Sequence, residues 1–287
     1  MTIGSMHIPV LREEVIMNLL HDKDGRYLDV TSGFGGHSTA ILEQLNHGSL
    51  IATDQDPDAI KYLKNKFESE KRITIYQSRF SDLDQLLHSE KFDGILADIG
   101  VSSYQLDKAE RGFSFMKDGP LDMRMNQNIG EDASSWLNNA SEKEISNIIW
   151  KYGEERKANR IAKAIVEARK NIKIRSTKKL ADIILEEVPR RFNDKKHPAT
   201  KTFQAIRIFI NNELDELDLL LDFILKHLKI GGRACIISFH SLEDRMVKRF
   251  FRDHSRRDPR LSMLPNLSDD SSFKLVTKAI NPSENEM

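Results

Sequence analysis

The stretch Tyr27-Leu-Asp-Val-Thr-Ser-Gly-Phe-Gly-Gly-His-Ser38 limits the fold of this chain more than any other. A short apolar run ends in a cluster of small residues, and an apolar-periodic segment, Thr39 to Leu45, follows. That is the pattern of a strand, a tight glycine turn and a helix. Gly33, Gly35 and Gly36 let the backbone turn sharply and let a ligand approach it, because no Cβ intervenes. The new helix points free N–H groups into the same space. A nucleotide-like ligand is the usual occupant of such a turn, although a plain strand-to-helix turn accounts for a lone glycine cluster equally well.

A second signal favours the ligand. Ser49-Leu-Ile-Ala-Thr-Asp54 reads as the next strand and ends in an acid. Asp54 lies about twenty residues past the turn, where a carboxylate can take both hydroxyls of a ribose. A dinucleotide site would place a third glycine at the Ser38 position. Here the first strand instead carries its own acid, Asp29, just before the turn. This arrangement favours S-adenosylmethionine over a nicotinamide cofactor.

Further strands follow the same rhythm. Arg72 to Gln77 alternates and is β-rich, Ser78 to Asp82 opens a helix, and Phe92 to Asp98 is a continuous apolar run ending in an acid. Strands alternating with helices predict a parallel α/β sheet with right-handed crossovers, and ligands gather at the C-terminal ends of such strands. Gly33 to His37, Asp54, Phe80 and Asp98 all fall there. Phe80 is placed either to lie against an adenine ring or to fill the core.

The pattern changes after Gln105. Residues 107–128 are rich in Arg, Gly, Asp and Met, as a long functional loop would be. Residues 133–198 read as all-helical, with a capping box at Ser141-Glu-Lys-Glu144. The expected organisation is one discontinuous α/β domain, 1–106 and 199–287, interrupted between its fourth and fifth strands by a helical insertion, 107–198. One long apolar stripe runs from Phe203 toward Leu228, Gly231-Gly232 turns into a fifth strand ending near Ser238, Ser241 caps the next helix, and Phe273 to Ile280 reads as a last strand.

Composition removes several classes. No run of about eighteen apolar residues predicts a membrane span. The N-terminus lacks an export pattern. The single cysteine, Cys235, excludes an internal disulfide and reads as a small buried residue. These features predict a cytoplasmic protein. Net charge is zero, yet residues 151–201 hold sixteen Lys/Arg against seven Asp/Glu, and residues 245–260 hold seven against two. Such segregation points to a polyanion or to solvated helix faces.

Four stretches together resemble one family: His7-Ile-Pro-Val-Leu11, Asp29 to Ser38, Asp98-Ile-Gly-Val-Ser-Ser-x-Gln-Leu106, and Ser238-Phe-His-Ser-Leu-Glu-Asp-Arg245. Pro120 to Met125 and Thr202 to Arg207 add to them. The chain resembles the RsmH (MraW) family of small-subunit ribosomal RNA methyltransferases. The resemblance implies S-adenosylmethionine as cofactor, a Rossmann-like methyltransferase fold, and N4-methylation of a cytidine in the decoding region of 16S rRNA. It implies cofactor contacts at Gly35, Gly36, His37, Asp54, Phe80, Asp98 and Gln105, and 16S rRNA or the small ribosomal subunit as partner. A homodimer is left open. The chain stops at Met287, where the family usually continues with a basic segment and a further strand, so this sequence is either naturally short or truncated.

The chemistry needs an acceptor near a weakly nucleophilic amine. Asp98 is the main candidate, with Asp122 or Arg124 completing the catalytic group. His37 admits a general-base reading, but contact with cofactor or backbone at the helix start is preferred; His240 divides between substrate contact and structural bonding. No metal site is expected. The target base must leave its stack, and Tyr104, Phe113 and Phe115 are placed either to pack on it or to pack the loop. Lys178, Lys179, Arg190, Arg191, Lys195 and Lys196 are the candidate phosphate contacts. A nicotinamide-dependent oxidoreductase and a non-catalytic rRNA-binding assembly factor are the competing readings.

Overall fold

The computed structural model describes residues 9–189, 196–255 and 272–283. The chain divides into two compact units, one built from Met1–Gly100 and Asp215–Met287, the other from Val101–Leu214. The cuts fall outside the 107–198 span expected from sequence: α5 and α10, defined below, group with the helical unit.

The first unit contains α1 (Arg12–Leu19), β1 (Arg26–Asp29), α2 (Gly36–Gln44), β2 (Ser49–Asp54), α3 (Pro57–Lys66), β3 (Ile73–Gln77), α4 (Leu83–Leu86) and β4 (Phe92–Asp98). Most of α11 (Glu213–His227), β5 (Leu228–Ile237) and α12 (Ser241–Ser255) complete it. The strands form one sheet in the order β3-β2-β1-β4-β5, parallel at every pairing. Successive β-strand side chains point to opposite faces, and the sheet obeys this closely. Tyr27, Leu50 and Leu96 pack with Leu19, Ile41 and Leu42, whereas Leu28, Ile51 and Ile95 pack with Leu217, Leu220, Phe223 and Ile224. Helices therefore cover both faces, and the strands read as continuous apolar runs. This is a Rossmann-like arrangement with all five strand ends on one edge.

Three expectations are corrected here. β5 starts at Leu228, and Gly231, at φ 81°, lies inside a register shift between Phe92 and Gly94 instead of in a preceding turn. Phe273 to Ile280 forms no strand among the described residues; Leu275 and Val276 are exposed and no strand edge receives them. β-propensity is chiefly a preference for packing on neighbours, so it does not make a strand without them. Ser241 is the first residue of α12 and not its cap; the N–H groups of Phe239 and His240 donate to the buried Glu243 carboxylate instead.

The second unit is helical. It contains α5 (Ser103–Asp107), α6 (Ala133–Asn139), α7 (Glu142–Gly153), α8 (Ala158–Asn171), α9 (Thr177–Glu187) and α10 (Thr200–Ile210). Its core gathers Leu137, Ile145, Ile149, Ile161, Ile165, Leu180, Ile184, Phe203 and Ile206. The apolar stripe from Phe203 toward Leu228 is two helices, not one, broken at Asn211-Asn212, where Asn212 takes φ 53°. The loop between α5 and α6 is packed rather than open, with Leu121, Met123 and Met125 in the core. Arg111 is buried behind it and donates to the carbonyls of Arg124 and Met125 at 3.1 and 2.8 Å.

Candidate functional site

The glycine turn is held from every side. Asp29, at the end of β1, is fully buried, and its Oδ2 accepts the Ser38 hydroxyl at 2.6 Å while Oδ1 accepts the Thr31 N–H at 3.2 Å. Burial raises its pKa, against the opposing effects of Ser38 and His37. Both oxygens are engaged inside the protein, so Asp29 shapes the turn. Gly33 and Gly35 take φ 48° and 78°, a region that costs an ordinary residue about 1–2 kcal/mol. A Cβ on Gly35 would also lie 2.9 Å from Leu63 Cδ2. From behind, Lys66 Nζ donates to the carbonyls of Phe34 and Gly35 at 3.3 and 3.1 Å. Sequence reasoning missed this lysine; it sits in the last turn of α3, where a basic residue needs no other explanation.

Asp54 closes β2 beside the turn. Its Oδ2 accepts the Gly33 N–H and its Oδ1 the Asp56 N–H, each at 2.8 Å. Burial pushes its pKa up to about 6, with those two N–H bonds opposing. Asp54 keeps partial exposure, so its remaining lone pairs are available to hydroxyl donors.

Asp98 closes β4. Its N–H donates to Thr31 Oγ1 at 2.6 Å, which ties the β4 end to the loop after β1. Its Oδ2 lies 3.6 Å from His37 Nε2. His37 is the second residue of α2 and is 5% exposed. Neither of its ring nitrogens, nor Asp98 Oδ1, has a hydrogen-bond partner among the described residues. Buried polar atoms are almost always bonded, so these three orphans mark a place completed by something polar. An S-adenosylmethionine, with its hydroxyls, amine and adenine nitrogens, fits that requirement, and hydroxyls are of the type the remaining Asp54 lone pairs can accept. Phe80 is half-buried just past β3 and packs against the core that contains Leu28 and Ile95. Gly36 opens α2 with its Cα facing Pro9, 3.3 Å from where a Cβ would stand. His240 is partly buried at the start of α12, with Nε2 3.0 Å from Glu243 Oε1.

The remaining candidates lie in the second unit. Gln105 is buried on α5, where it and Ser102 form a reciprocal capping box. Asp122 and Arg124 bind each other bidentately, Nε to Oδ1 at 2.9 Å and Nη2 to Oδ2 at 2.8 Å. Burial works against the Asp122 carboxylate, but Arg124 outweighs it and holds the pKa low; the same pairing raises Arg124. Phe113 is buried, and Phe115 packs on Phe203 and His197 with centroids 4.8 and 4.7 Å away. These two rings are loop packing. Tyr104 lies under Lys108 Nζ at 5.4 Å. Lys178, Lys179 and Lys196 are exposed, whereas Arg190, Arg191 and Lys195 lie outside the described residues, as does His7. No described helix is long and apolar enough to cross a membrane.

Comparison with known proteins agrees with this geometry. The family model described as the MraW methylase family matches residues 4–287. The Ribosomal RNA small subunit methyltransferase H of Coxiella burnetii (strain RSA 493 / Nine Mile phase I) is 49% identical over 288 residues, covering 98% of this chain and 93% of that protein. Proteins of the same name from Nitrosococcus oceani and Xanthomonas oryzae pv. oryzae are each 46% identical, covering 99% and 98% of this chain and 92% and 84% of theirs. With a match of that length and a relative at that identity, the chain belongs to the MraW methylase family.

Proposed function

We propose that this protein transfers a methyl group from S-adenosylmethionine to N4 of a cytidine in the decoding region of 16S rRNA. The observation that carries the reading is the family match along residues 4–287, in a chain whose β1, β2 and β4 ends keep the acid–glycine set Asp29, Gly35, Asp54 and Asp98. Relatives named as small-subunit rRNA methyltransferases support the substrate class. A nicotinamide-dependent reading loses support from the same match.

S-adenosylmethionine supplies a sulfonium-bound, already activated methyl. The residues that would hold it are Gly35, Gly36 and His37 at the turn, Asp54 for the ribose hydroxyls, Phe80 beside the adenine, Asp98, and Gln105. Asp98 has the orphaned oxygen needed to accept an N–H of the cytosine amine, localise its lone pair and receive the proton. Asp122 and Arg124 neutralise each other, so their contribution to the reaction is to hold the loop shape rather than to move a proton. The helical unit serves as the RNA-recognition element, with Lys178, Lys179 and Lys196 as exposed phosphate contacts.

The test is incubation of 16S rRNA, free and in small subunits, with the protein and isotopically labelled S-adenosylmethionine, followed by nucleoside mass spectrometry. Labelled N4-methylcytidine at one decoding-region position is expected. Label on carbon or ribose, or none in either substrate, would overturn the assignment.

A further inference from the structure

Trp150 stands out in the helical unit. It is 68% exposed on α7, whereas the chain's other tryptophan, Trp136, is buried and donates its indole N–H to Glu144 at 2.9 Å. The inward face of α7 is made by Ile145, Ile149 and Gly153. Asn147, Trp150 and Lys151 lie on its exposed side. A single exposed apolar side chain is ordinary; the charge that follows this one is not. From Lys151 to Lys179 the chain carries eleven Lys/Arg against three Asp/Glu. Arg160 and Lys170 are paired with Glu187 and Glu167. Lys151 and Arg156 are exposed and form no ion pair among the described residues. Lys151 Nζ bonds the Tyr152 hydroxyl at 3.1 Å and sits 4.7 Å above its ring, so the ammonium next in sequence to Trp150 is held on the Tyr152 ring. A protein-binding hot spot is depleted of lysine at its centre. An exposed indole followed within six residues by exposed cations without ion pairs is instead the composition that grips single-stranded nucleic acid.

We infer that Trp150 is a stacking platform for an unpaired base of the RNA substrate, with Lys151 and Arg156 taking the flanking phosphates. The inference rests on the rRNA reading above and adds the element and side chain that hold the strand. The full-length protein is titrated with a fluorescein-labelled single-stranded RNA of mixed sequence, reading anisotropy and indole emission together. Stacking quenches the indole, and Trp150→Phe leaves only the emission of buried Trp136. The wild type is expected to lose emission on binding, and Trp150→Phe to bind without that loss. Trp150→Ala should weaken binding about tenfold with an unchanged salt slope, because every phosphate keeps its cation. The pair Lys151→Ala and Arg156→Ala should lower the slope of log affinity against log salt by about 1.4, at about 0.7 for each phosphate left without its cation. Salt-dependent RNA binding with Trp150→Ala within twofold of wild type overturns this proposal and leaves the rRNA reading standing. The same holds if Trp150→Ala alters only self-association in sedimentation. No RNA binding by the wild type overturns both.

Discussion

The Asp54 carboxylate accepts the Gly33 N–H at 2.8 Å, so the acid ending β2 holds the turn that follows β1. Its pKa, raised by burial to about 6 from 3.8, makes this link pH-dependent. The native state retains a proton there that the unfolded chain has lost between about pH 4 and 6. This contribution to stability is therefore complete at low pH and is lost as pH rises through about 6. Cofactor binding runs the other way, because hydroxyls donate best to the ionised form. Calorimetry should show S-adenosylmethionine binding tighten between about pH 5 and 7. Asp54→Asn should weaken binding and flatten that trend; an affinity indifferent to pH in the wild type would refute the role.

Gly35→Ala combines a left-handed backbone with a contact to Leu63. Urea unfolding is expected to show a loss of about 1–2 kcal/mol from the backbone alone. Cofactor binding should be lost even under conditions where the variant remains folded by circular dichroism. Retained affinity would mean that the turn is not the cofactor cradle.

Ser38→Ala removes the hydroxyl that holds the buried Asp29 carboxyl at 2.6 Å. The expected loss is about 1.5–3 kcal/mol, as for hydrogen bonds to charged groups. Because the Ser38 bond favours the ionised carboxyl while burial opposes ionisation, the loss on Ser38→Ala should be larger at neutral than at acid pH. Melting temperatures of Ser38→Ala compared at acid and neutral pH check both points, and equal melting behaviour to wild type would contradict them.

Asp122 and Arg124 test loop locking against direct chemistry. Removing either partner leaves a partly buried charge, so Asp122→Asn and Arg124→Met should each destabilise by about 3 kcal/mol. The double variant should recover part of that loss. Cofactor affinity should hold while methyl transfer falls in all three. A double variant as unstable as the sum of the singles would show that the two side chains do not act as a pair.

The parts of the fold legible in sequence were those written in periodicity. β1, β2 and β4 are buried on both faces, so Tyr27-Leu28, Leu50-Ile51 and Ile95-Leu96 read as unbroken apolar runs ending in acids. The α3 start was legible because Asp56 and Pro57 do local work, the Asp56 carboxylate accepting the Asp58 N–H at 3.0 Å. What escaped depended on distant partners. Nothing near Lys66 announces that its ammonium ends on Gly35 O, and nothing near Arg111 announces the carbonyls of Arg124 and Met125. Phe113 and Phe115 look free in a Gly-rich loop until that loop is seen packed into a core. Residues 273–280 have the composition of a strand, but composition supplies no edge to pair with.

The order of the chain has a cost during synthesis. β4 sits second from one end of the finished sheet, yet the strand that covers its outer side is β5, made only after the entire helical unit. Until Leu228 to Ile237 leave the ribosome, the backbone groups of Leu96 to Asp98 lie along a bare edge, ready to pair with any extended peptide nearby. A nascent chain stalled before that point would carry a finished glycine turn beside a sticky flank, and would be a natural client for chaperones.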